Sequence, residues 1–275
     1  MKVTVLGTGT STGIPIPGCA CEVCTSSNSR NKRLRTSIFV ELTSADLGTS
    51  GAKSSEETIG RVLIDTSTDL RQQALTHGIV RIDKVLFTHT HADHTFGIDD
   101  LRSFNFVMRS SIDVYASETS AKDLLQKFRY CFQYDPAYEG GAPPKLNLLE
   151  IEAYTPLSLF GVEILPLPVL HGTLEVFAYR IGSFAYVTDC SSIPERSRAC
   201  LRNLDVLILD GLRNRPHKTH FTVEQAVQEI EDLQPKRTFL THISHELDHE
   251  KTNNTLHEIT KQHVELAYDG LFFEA

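Results

Sequence analysis

Four potential metal ligands follow one apolar segment within six residues. In the stretch FTHTHADHTFG, His89, His91, Asp93 and His94 come directly after the apolar run KVLF. His89 and His91 lie two residues apart, so an extended backbone aims both imidazoles to one side. Four nitrogen or oxygen ligands this close in sequence lose little loop-closure entropy among themselves. The spacing therefore favours a metal centre over a solvated polar loop.

The residue types of this motif also indicate a reaction. Imidazole and carboxylate ligands suit zinc, manganese or iron. Two such ions about 3.5–4 Å apart can share a hydroxide whose pKa falls to about 7. Paired cations also stabilise the charge that develops on phosphoryl or acyl oxygens. The motif predicts metal-dependent hydrolysis that needs no serine or cysteine nucleophile.

Three cysteines form a second candidate site near the N-terminus. Cys19, Cys21 and Cys24 have the spacing C-x-C-x-x-C in the stretch PGCACEVCTSS. In a chain of 275 residues with no secretory leader pattern, this clustering fits a metal site better than a disulfide framework. A metal-free thiol cluster and a labile redox pair are the alternatives.

The overall composition limits the possible partners. The chain is 40% hydrophobic and shows no dividing linker, which predicts a single domain over residues 1–275. A net charge of −8 argues against a surface that binds nucleic acid, and a small anionic substrate would need a local cation. No window approaches the roughly 20 apolar residues of a membrane span. We therefore expect no membrane partner and a cytoplasmic location.

The elements that must position the candidate residues read mainly as strands. KVTVLG, TSIFVEL, RVLIDTS and SSIDVYAS predict strands in the N-terminal half, and VEILPLPVLH, LDVLILDG and RTFLTHIS predict strands in the C-terminal half. FAYRIGSFAYVTD predicts a hairpin that turns at Gly182. Several of these segments stop at an ionisable residue, which is where α/β folds place their sites.

Helices and loops are predicted between these strands. DLRQQALTHG predicts a helix that ends at Gly78, and TVEQAVQEIEDL predicts one that Thr222 caps. The polar stretch 43–60 predicts a hairpin excursion. The aromatic and Gly/Pro-rich segment 128–150 predicts either a mobile lid or a surface hairpin.

The motif H-x-H-x-D-H after an apolar strand resembles the metallo-β-lactamase superfamily of dinuclear metallohydrolases. LGTGTSTG, LIDTS, VLHG, YVTDCS and LTHISH extend the resemblance in order over nearly the whole chain. It implies an αββα sandwich, with two facing mixed β-sheets flanked by helices. It also implies two divalent ions, zinc or manganese. The implied ligands are His89, His91 and His171 for one ion, Asp93, His94 and His242 for the other, and Asp189 as the bridge.

Some of these residues are weak signals on their own. His171 alone reads as a core histidine with one hydrogen bond, and Asp189 alone reads as a helix cap. Asp65 in LIDTS is predicted to orient a ligand or to form a turn. Their order along the chain is what supports the metal assignment.

A narrower resemblance includes the cysteines. C-x-C-x-x-C together with LTHISH is similar to the PhnP-type branch, which hydrolyses cyclic phosphodiesters. This branch implies a structural zinc held by Cys19, Cys21, Cys24 and His245. Asp189 precedes Cys190 in YVTDCS, whereas class B β-lactamases generally lack that carboxylate. Cleavage of an antibiotic is therefore not expected.

The stretch LRNRPHKTHFTVEQA supplies candidate substrate contacts. In phosphodiesterase-like branches a histidine just before such a helix start lies on the substrate side, and His220 fits that position. We predict that His220 contacts the phosphate and donates a proton to the leaving alkoxide. His217 is the rival for this role, and Arg213 is a further candidate contact. His220 and Asp93 are the candidate catalytic residues.

These observations predict a metal-dependent phosphodiesterase that acts on a small, cyclic phosphodiester through a hydroxide bridging two ions. The alternatives are a lactonase or thioesterase of the same fold, or an accessory protein of the type that serves coenzyme PQQ synthesis. The expected partner is a small molecule, and a homodimer is left open.

Overall fold

The chain folds into four layers. A computed structural model describes residues 1–47, 57–133 and 139–275. In these ranges two seven-stranded β-sheets pack face to face, and helices cover the outer side of each sheet. The predicted αββα sandwich is therefore confirmed.

The first sheet contains the N-terminal strands and one strand from the C-terminus. Its strands are β1 (Lys2–Gly7), β2 (Ser37–Thr43), β3 (Thr58–Ile64), β4 (Lys84–Leu86), β5 (Ile112–Ala116), β6 (Leu146–Glu150) and β14 (Phe272–Glu274). Their order is β14-β1-β2-β3-β4-β5-β6. Pairing is antiparallel from β14 to β3 and parallel from β3 to β6. The carboxyl ends of β3, β4 and β5 therefore point to one edge.

The second sheet repeats this arrangement. Its strands are β7 (Leu157–Leu159), β8 (Val162–His171), β9 (Leu174–Ile181), β10 (Phe184–Val187), β11 (Val206–Asp210), β12 (Arg237–Thr241) and β13 (Val264–Leu266). Their order is β13-β12-β11-β10-β9-β8-β7. Pairing is antiparallel from β7 to β10 and parallel from β10 to β13. Strands β8, β10 and β12 run in the same direction, and His171, Asp189 and His242 lie at or just after their carboxyl ends.

The helices connect these strands. They are α1 (Glu22–Thr25), α2 (Leu70–Thr76), α3 (Ala92–Thr95), α4 (Leu101–Met108), α5 (Glu118–Lys127), α6 (Arg129–Phe132), α7 (Glu195–Cys200), α8 (Val223–Leu233) and α9 (His249–Ile259). Among the described residues, no helix combines the length and apolar character needed to cross a bilayer.

Side chains that alternate in direction along the strands place apolar residues in the cores on both faces of a sheet. In β2, Ile38 and Val40 pack in the core between the sheets, and Phe39 packs in the core beneath the outer helices. Successive side chains of a strand point to opposite faces, so a strand covered on both sides is apolar throughout. These cores hold the strand ends, and hence the site, in fixed positions.

Several local predictions are confirmed. β9 and β10 form the hairpin at Gly182, whose φ of +57° favours glycine. Thr222 caps α8, and Gln225 completes a capping box by bonding back to its backbone. The predicted excursion over 43–60 falls partly on residues 48–56, outside the described chain. The predicted lid over 128–150 likewise includes residues 134–138, outside it, between α6 and β6.

Candidate metal centre

The candidate ligands lie where strands end. β4 leads into the loop that carries His89, β8 ends at His171, β10 precedes Asp189, and β12 precedes His242. These strand ends come from both sheets and meet at one edge of the sandwich, where their ligand atoms form compact groups. The fold thus gathers residues that are more than 150 positions apart in sequence.

Three residues at this edge have a left-handed backbone. The φ angles are +65° at Asp65, +51° at Asp189 and +58° at His242. For residues other than glycine this conformation costs about 1–3 kcal/mol, and it persists where surrounding contacts impose it. Each of the three comes just after a strand. The left-handed conformation turns the backbone away from the strand direction at a residue whose side chain lies at the edge of the sheet. Asp65 is thus also the turn former that its sequence context allowed.

The first group of ligand atoms contains three imidazoles and a carboxylate. Nitrogen and oxygen atoms of this group lie within 4.8 Å of one another; its members are His89, His91, His171 and Asp189. His89 Nε2 and His91 Nδ1 are 2.9 Å apart. His91 is exposed and the other members are buried, so the group opens to solvent on the His91 side.

The second group lies directly beside the first. It consists of Asp93, His94 and His242, all buried. Asp93 Oδ2 is 3.5 Å from His94 Nε2 and 3.5 Å from His242 Nε2. Asp93 and His94 come from the short helix α3, so the two ligand groups share one continuous segment.

Asp189 faces both groups with different oxygens. Oδ2 lies 3.8 Å from His89 Nε2 and 3.8 Å from His171 Nε2. Oδ1 lies 3.2 Å from His94 Nε2 and 3.5 Å from His242 Nε2. A carboxylate in this position could be shared between cations held by the two groups.

The donor set fits divalent cations. His94 Nε2 and both ring nitrogens of His242 are buried without a hydrogen-bond partner among the described residues. Buried polar atoms normally have partners, and a cation would satisfy those nitrogens that point into the site. Burial raises the pKa of Asp189, but His242 and His94 outweigh it and hold that pKa well below its usual range. The bridging position therefore carries the negative charge that cations need.

Outer contacts orient three of the imidazoles. Nδ1 of His171 donates to the carbonyl of Thr219 over 2.7 Å, and Nδ1 of His94 lies 2.8 Å from Asp65 Oδ2. Nδ1 of His89 lies 3.0 Å from the hydroxyl of Thr88. Each contact leaves Nε2 free to face the site, as in protein metal centres generally. Asp65, which is predicted to orient a ligand, thus contacts the candidate ligand His94.

His220 lies at the same edge together with a carboxylate that sequence reasoning missed. Nδ1 of His220 lies 2.6 Å from Asp210 Oδ2, which also accepts from the backbone N–H of Cys190 over 2.8 Å. Nε2 of His220 lies 4.0 Å from Asp189 Oδ2. Ligand atoms of Asp189, His220 and His242 also lie within 4.8 Å of one another, so His220 is a further candidate ligand. The feature of the sequence that could have identified Asp210 is its position at the end of the apolar strand LDVLILDG, where the carboxylate is buried.

The other predicted substrate contacts lie nearer the surface. The ring of His217 is exposed and its centroid lies 5.1 Å from that of His220. Arg213 donates to the carbonyls of Arg215 and Pro216, and its guanidinium lies 3.6 Å from Glu246. The structure thus brings His217 close to the site, whereas Arg213 already has partners in its own loop.

The cysteine cluster also assembles. Nδ1 of His245 lies 3.3 Å from Cys19 Sγ, 3.4 Å from Cys21 Sγ and 3.7 Å from Cys24 Sγ. The backbone N–H of Cys24 is the main cause that lowers the pKa of Cys21 to about 6, whereas burial raises that of Cys24 to about 11. Three thiols and one imidazole form a donor set typical of structural zinc. The cluster adjoins the edge that carries the other candidate ligands, since His245 follows His242 by three residues.

Comparison with known proteins agrees with this geometry. Residues 60–243 match the model of the beta-lactamase superfamily domain. A crystal structure of a diphosphatase from the PhnP family superposes with a TM-score of 0.84 and 40% identity, covering 100% of this chain and 97% of that one. Zinc-bound PqqB from Methylobacterium extorquens covers 100% of both chains with a TM-score of 0.74, but at 19% identity it shows the fold alone.

One relative is longer than this chain and is named for an acyl transfer activity. The octanoyltransferase of Porphyromonas gingivalis is 36% identical over 272 residues, which are 98% of this chain and 51% of that protein. The chain thus spans about half the length of this relative.

Proposed function

We propose that this chain, which belongs to the beta-lactamase superfamily and has a PhnP-like fold, hydrolyses a small, cyclic phosphodiester. The 40% identity to a diphosphatase over the full chain supports a phosphate-containing substrate. The acidic net charge is compatible with such a substrate because bound cations would reverse the local field.

The observation that carries this proposal is the position of Asp189 between two groups of imidazoles. Its two oxygens face different groups at 3.2–3.8 Å, which supports a dinuclear rather than a mononuclear site. We assign one divalent ion to His89, His91 and His171, and the other to Asp93, His94 and His242. Zinc and manganese both suit these ligands, and we assign a structural zinc to the cysteine cluster. Bound ions would supply Lewis-acid stabilisation of phosphate charge and an activated water.

The chain itself supplies the proton for the leaving group. Asp210 holds Nδ1 of His220, so Nε2 is the nitrogen that faces the site. When the oxygen of a water that has released one proton to solvent forms its bond to phosphorus, the bond to the leaving oxygen breaks, and Nε2–H donates its proton to that oxygen. The imidazole then takes up a proton from solvent.

A substrate panel tests the proposal. Protein loaded with Zn²⁺ or Mn²⁺ should hydrolyse bis(p-nitrophenyl) phosphate and a cyclic phosphodiester, with a chelator abolishing both rates. His242→Ala should remove this activity, and His263→Ala, at an exposed position of the same domain, should retain it. Absence of any metal-dependent phosphodiesterase rate would contradict the proposal. Inorganic diphosphate in the same panel separates diester from anhydride hydrolysis.

Acyl transfer is the second candidate because of the octanoyltransferase relative. Transfer through an acyl-enzyme needs an accessible nucleophile, but Cys190, the thiol next to Asp189, is fully buried. Direct hydrolysis of an octanoyl thioester or a lactone needs no such nucleophile. A rate on these esters that exceeds the phosphodiester rate would favour this alternative. A metal-binding protein without any of these activities would instead favour the accessory role.

A further inference from the structure

Two aromatic rings in contact with each other follow helices α3 and α5, which hold the ligand loop. Phe96 follows α3, the helix that carries Asp93 and His94, and its side chain is 55% exposed. Its ring centroid lies 5.8 Å from that of Phe128, with the planes at 84°. Exposure of a large ring next to a site often marks a contact surface for a ligand. An edge-to-face pair of this kind leaves ring faces open to a third flat group.

The ring pair is fixed relative to the ligand loop. Nζ of Lys127 donates to the carbonyl of Thr90 over 3.0 Å, and the Thr90 hydroxyl donates to Asp123 over 2.8 Å. Thr90 lies between the ligands His89 and His91. The C-terminal turn of α5 is therefore bound to this loop at two points, and Phe128 is the residue that follows.

The same side of the centre is the one that substrate can reach. His91, Ala92 and Phe96 form an exposed surface at the start and end of α3, whereas Asp93 and His94 are buried. Lys127 is exposed and places a cation at this surface, although its Nζ also lies 3.9 Å from Asp123 Oδ2. An anionic ester that approaches His91 therefore meets a positive charge and two aromatic rings together.

We propose that Phe96, Phe128 and Lys127 form a subsite for the organic group that stays bonded to phosphorus after hydrolysis, which in a cyclic diester is the opened ring, and that this group carries a flat aromatic ring. The proposal rests on the phosphodiesterase function above and adds a specificity to it. Lys127 attracts the anionic phosphate oxygen, and the rings stack on the aromatic substituent. An alkyl substituent of similar size gains less from this surface.

Two diesters with the same leaving group test this subsite. Phenyl p-nitrophenyl phosphate and ethyl p-nitrophenyl phosphate release the same phenolate, so their kcat/KM ratio reports the non-leaving group. Phe96→Ala should lower kcat/KM for the phenyl ester by about threefold to tenfold, mainly through KM, and change the ethyl ester by less than about twofold. Phe272→Ala, at a Phe that is 54% exposed on β14, is the matched control.

Further measurements distinguish failure of the subsite proposal from failure of the proposed function. With the metal ion at a saturating concentration, so that loss of the contact with Thr90 does not empty the site, Lys127→Gln should raise KM for both esters and leave their ratio unchanged. Phenyl phosphate should inhibit more strongly than ethyl phosphate, and Phe96→Ala should remove this difference. An unchanged phenyl-to-ethyl ratio in Phe96→Ala, with turnover intact, would overturn the subsite alone. If the metal-loaded wild-type protein hydrolyses neither ester, the proposed function fails and the subsite fails with it.

Discussion

Nδ1 of His220 lies 2.6 Å from Oδ2 of Asp210, and both side chains are buried at the edge where the two ligand groups meet. Burial of this pair away from bulk water strengthens their electrostatic interaction. The contact also fixes which ring nitrogen faces the site. The pair therefore has the arrangement of a general acid held by a carboxylate.

His220→Ala should reduce kcat in a way that depends on the leaving group. An alkoxide needs a proton to depart, whereas p-nitrophenolate does not, so the loss should be about 100-fold for an alkyl diester and about tenfold or less for the nitrophenyl diester. Asp210→Asn should show a weaker form of the same pattern. Steady-state rates on both esters measure this. Equal losses on the two esters, together with loss of one bound ion, would instead identify His220 as a ligand.

His217→Ala tests whether His217, rather than His220, donates the proton. His217 is exposed and its ring lies next to that of His220, so it is the other histidine that could donate the proton. We expect its replacement to change kcat for either ester by less than about threefold. A leaving-group dependence in His217→Ala, rather than in His220→Ala, would transfer the acid role to His217.

The candidate ligands could be predicted from the sequence, whereas most of the side chains that contact and orient the residues of this site could not. His89, His91, Asp93 and His94 lie within six residues, so their proximity follows from the strand and turn alone. The pair of His220 and Asp210 is different, because it forms only when the loop after β11 folds back onto the end of that strand. Neither residue type nor a spacing of ten residues indicates such a contact.

The same reason explains the contacts of Thr90. A threonine between two histidines resembles a spacer in sequence, and its partner Asp123 lies on a helix that follows the next strand. The parallel pairing of β4 and β5 brings this helix to the ligand loop. Local patterns predict elements and motif ligands, whereas the orienting contacts depend on how the elements pack.

Cys21→Ser should affect stability and the catalytic ions together. The segment between His242 and His245 is tied to the loop after β1, since the Ile243 N–H donates to Thr8 over 2.8 Å. Loss of the cluster should lower Tm by about 5 °C or more and weaken binding of the catalytic ions. Calorimetry and metal analysis after mild chelation measure these effects. Wild-type protein should retain about one zinc and release about two ions.

Cys200→Ser serves as the control for this prediction, because Cys200 is partly exposed and belongs to no metal-binding group among the described residues. It should leave both Tm and metal content near wild-type values. A Cys21→Ser protein with lower Tm but unchanged turnover and ion affinity would show that the cluster and the catalytic site are independent. Retention of only one ion in total by the wild type would contradict the three-ion assignment.

Thr90→Val should weaken metal binding without unfolding the protein. The substitution keeps the side-chain shape but removes the hydroxyl that donates to Asp123 over 2.8 Å. The ligand loop then loses one of the hydrogen bonds that the structure describes between it and α5. Because this bond holds the loop rather than a ligand side chain, we expect the affinity for metal to fall by about threefold to tenfold, at most the effect of losing a direct partner of a ligand. Titration of the apo-protein with Zn²⁺ measures the effect. Thr119→Val, at an exposed position of α5, should bind metal like the wild type.

Stability should fall between pH 6.5 and pH 4 because of His249. Burial, and then the charges of Arg33 and Arg30, lower the pKa of His249 to about 4, and these outweigh Glu250 and Asp248, which raise it. The unfolded chain has the ordinary pKa of about 6.5. In this pH window the unfolded state therefore binds a proton that the native state does not, so the free energy of unfolding decreases as pH falls. The loss should approach about 2 kcal/mol near pH 4, after allowance for solvent screening.

Replacing His249 with Gln should flatten this part of the pH profile. Glutamine can still accept from the Arg33 guanidinium, which lies 3.2 Å from His249 Nδ1, but it does not titrate. Urea unfolding of wild type and variant at several pH values between 4 and 8 gives the difference directly. Other titrating groups, including the metal ligands, contribute equally to both proteins and cancel in this difference. His257→Gln, at an exposed position of α9, should reproduce the wild-type slope, and a His249→Gln profile as steep as the wild type would exclude His249 as the cause.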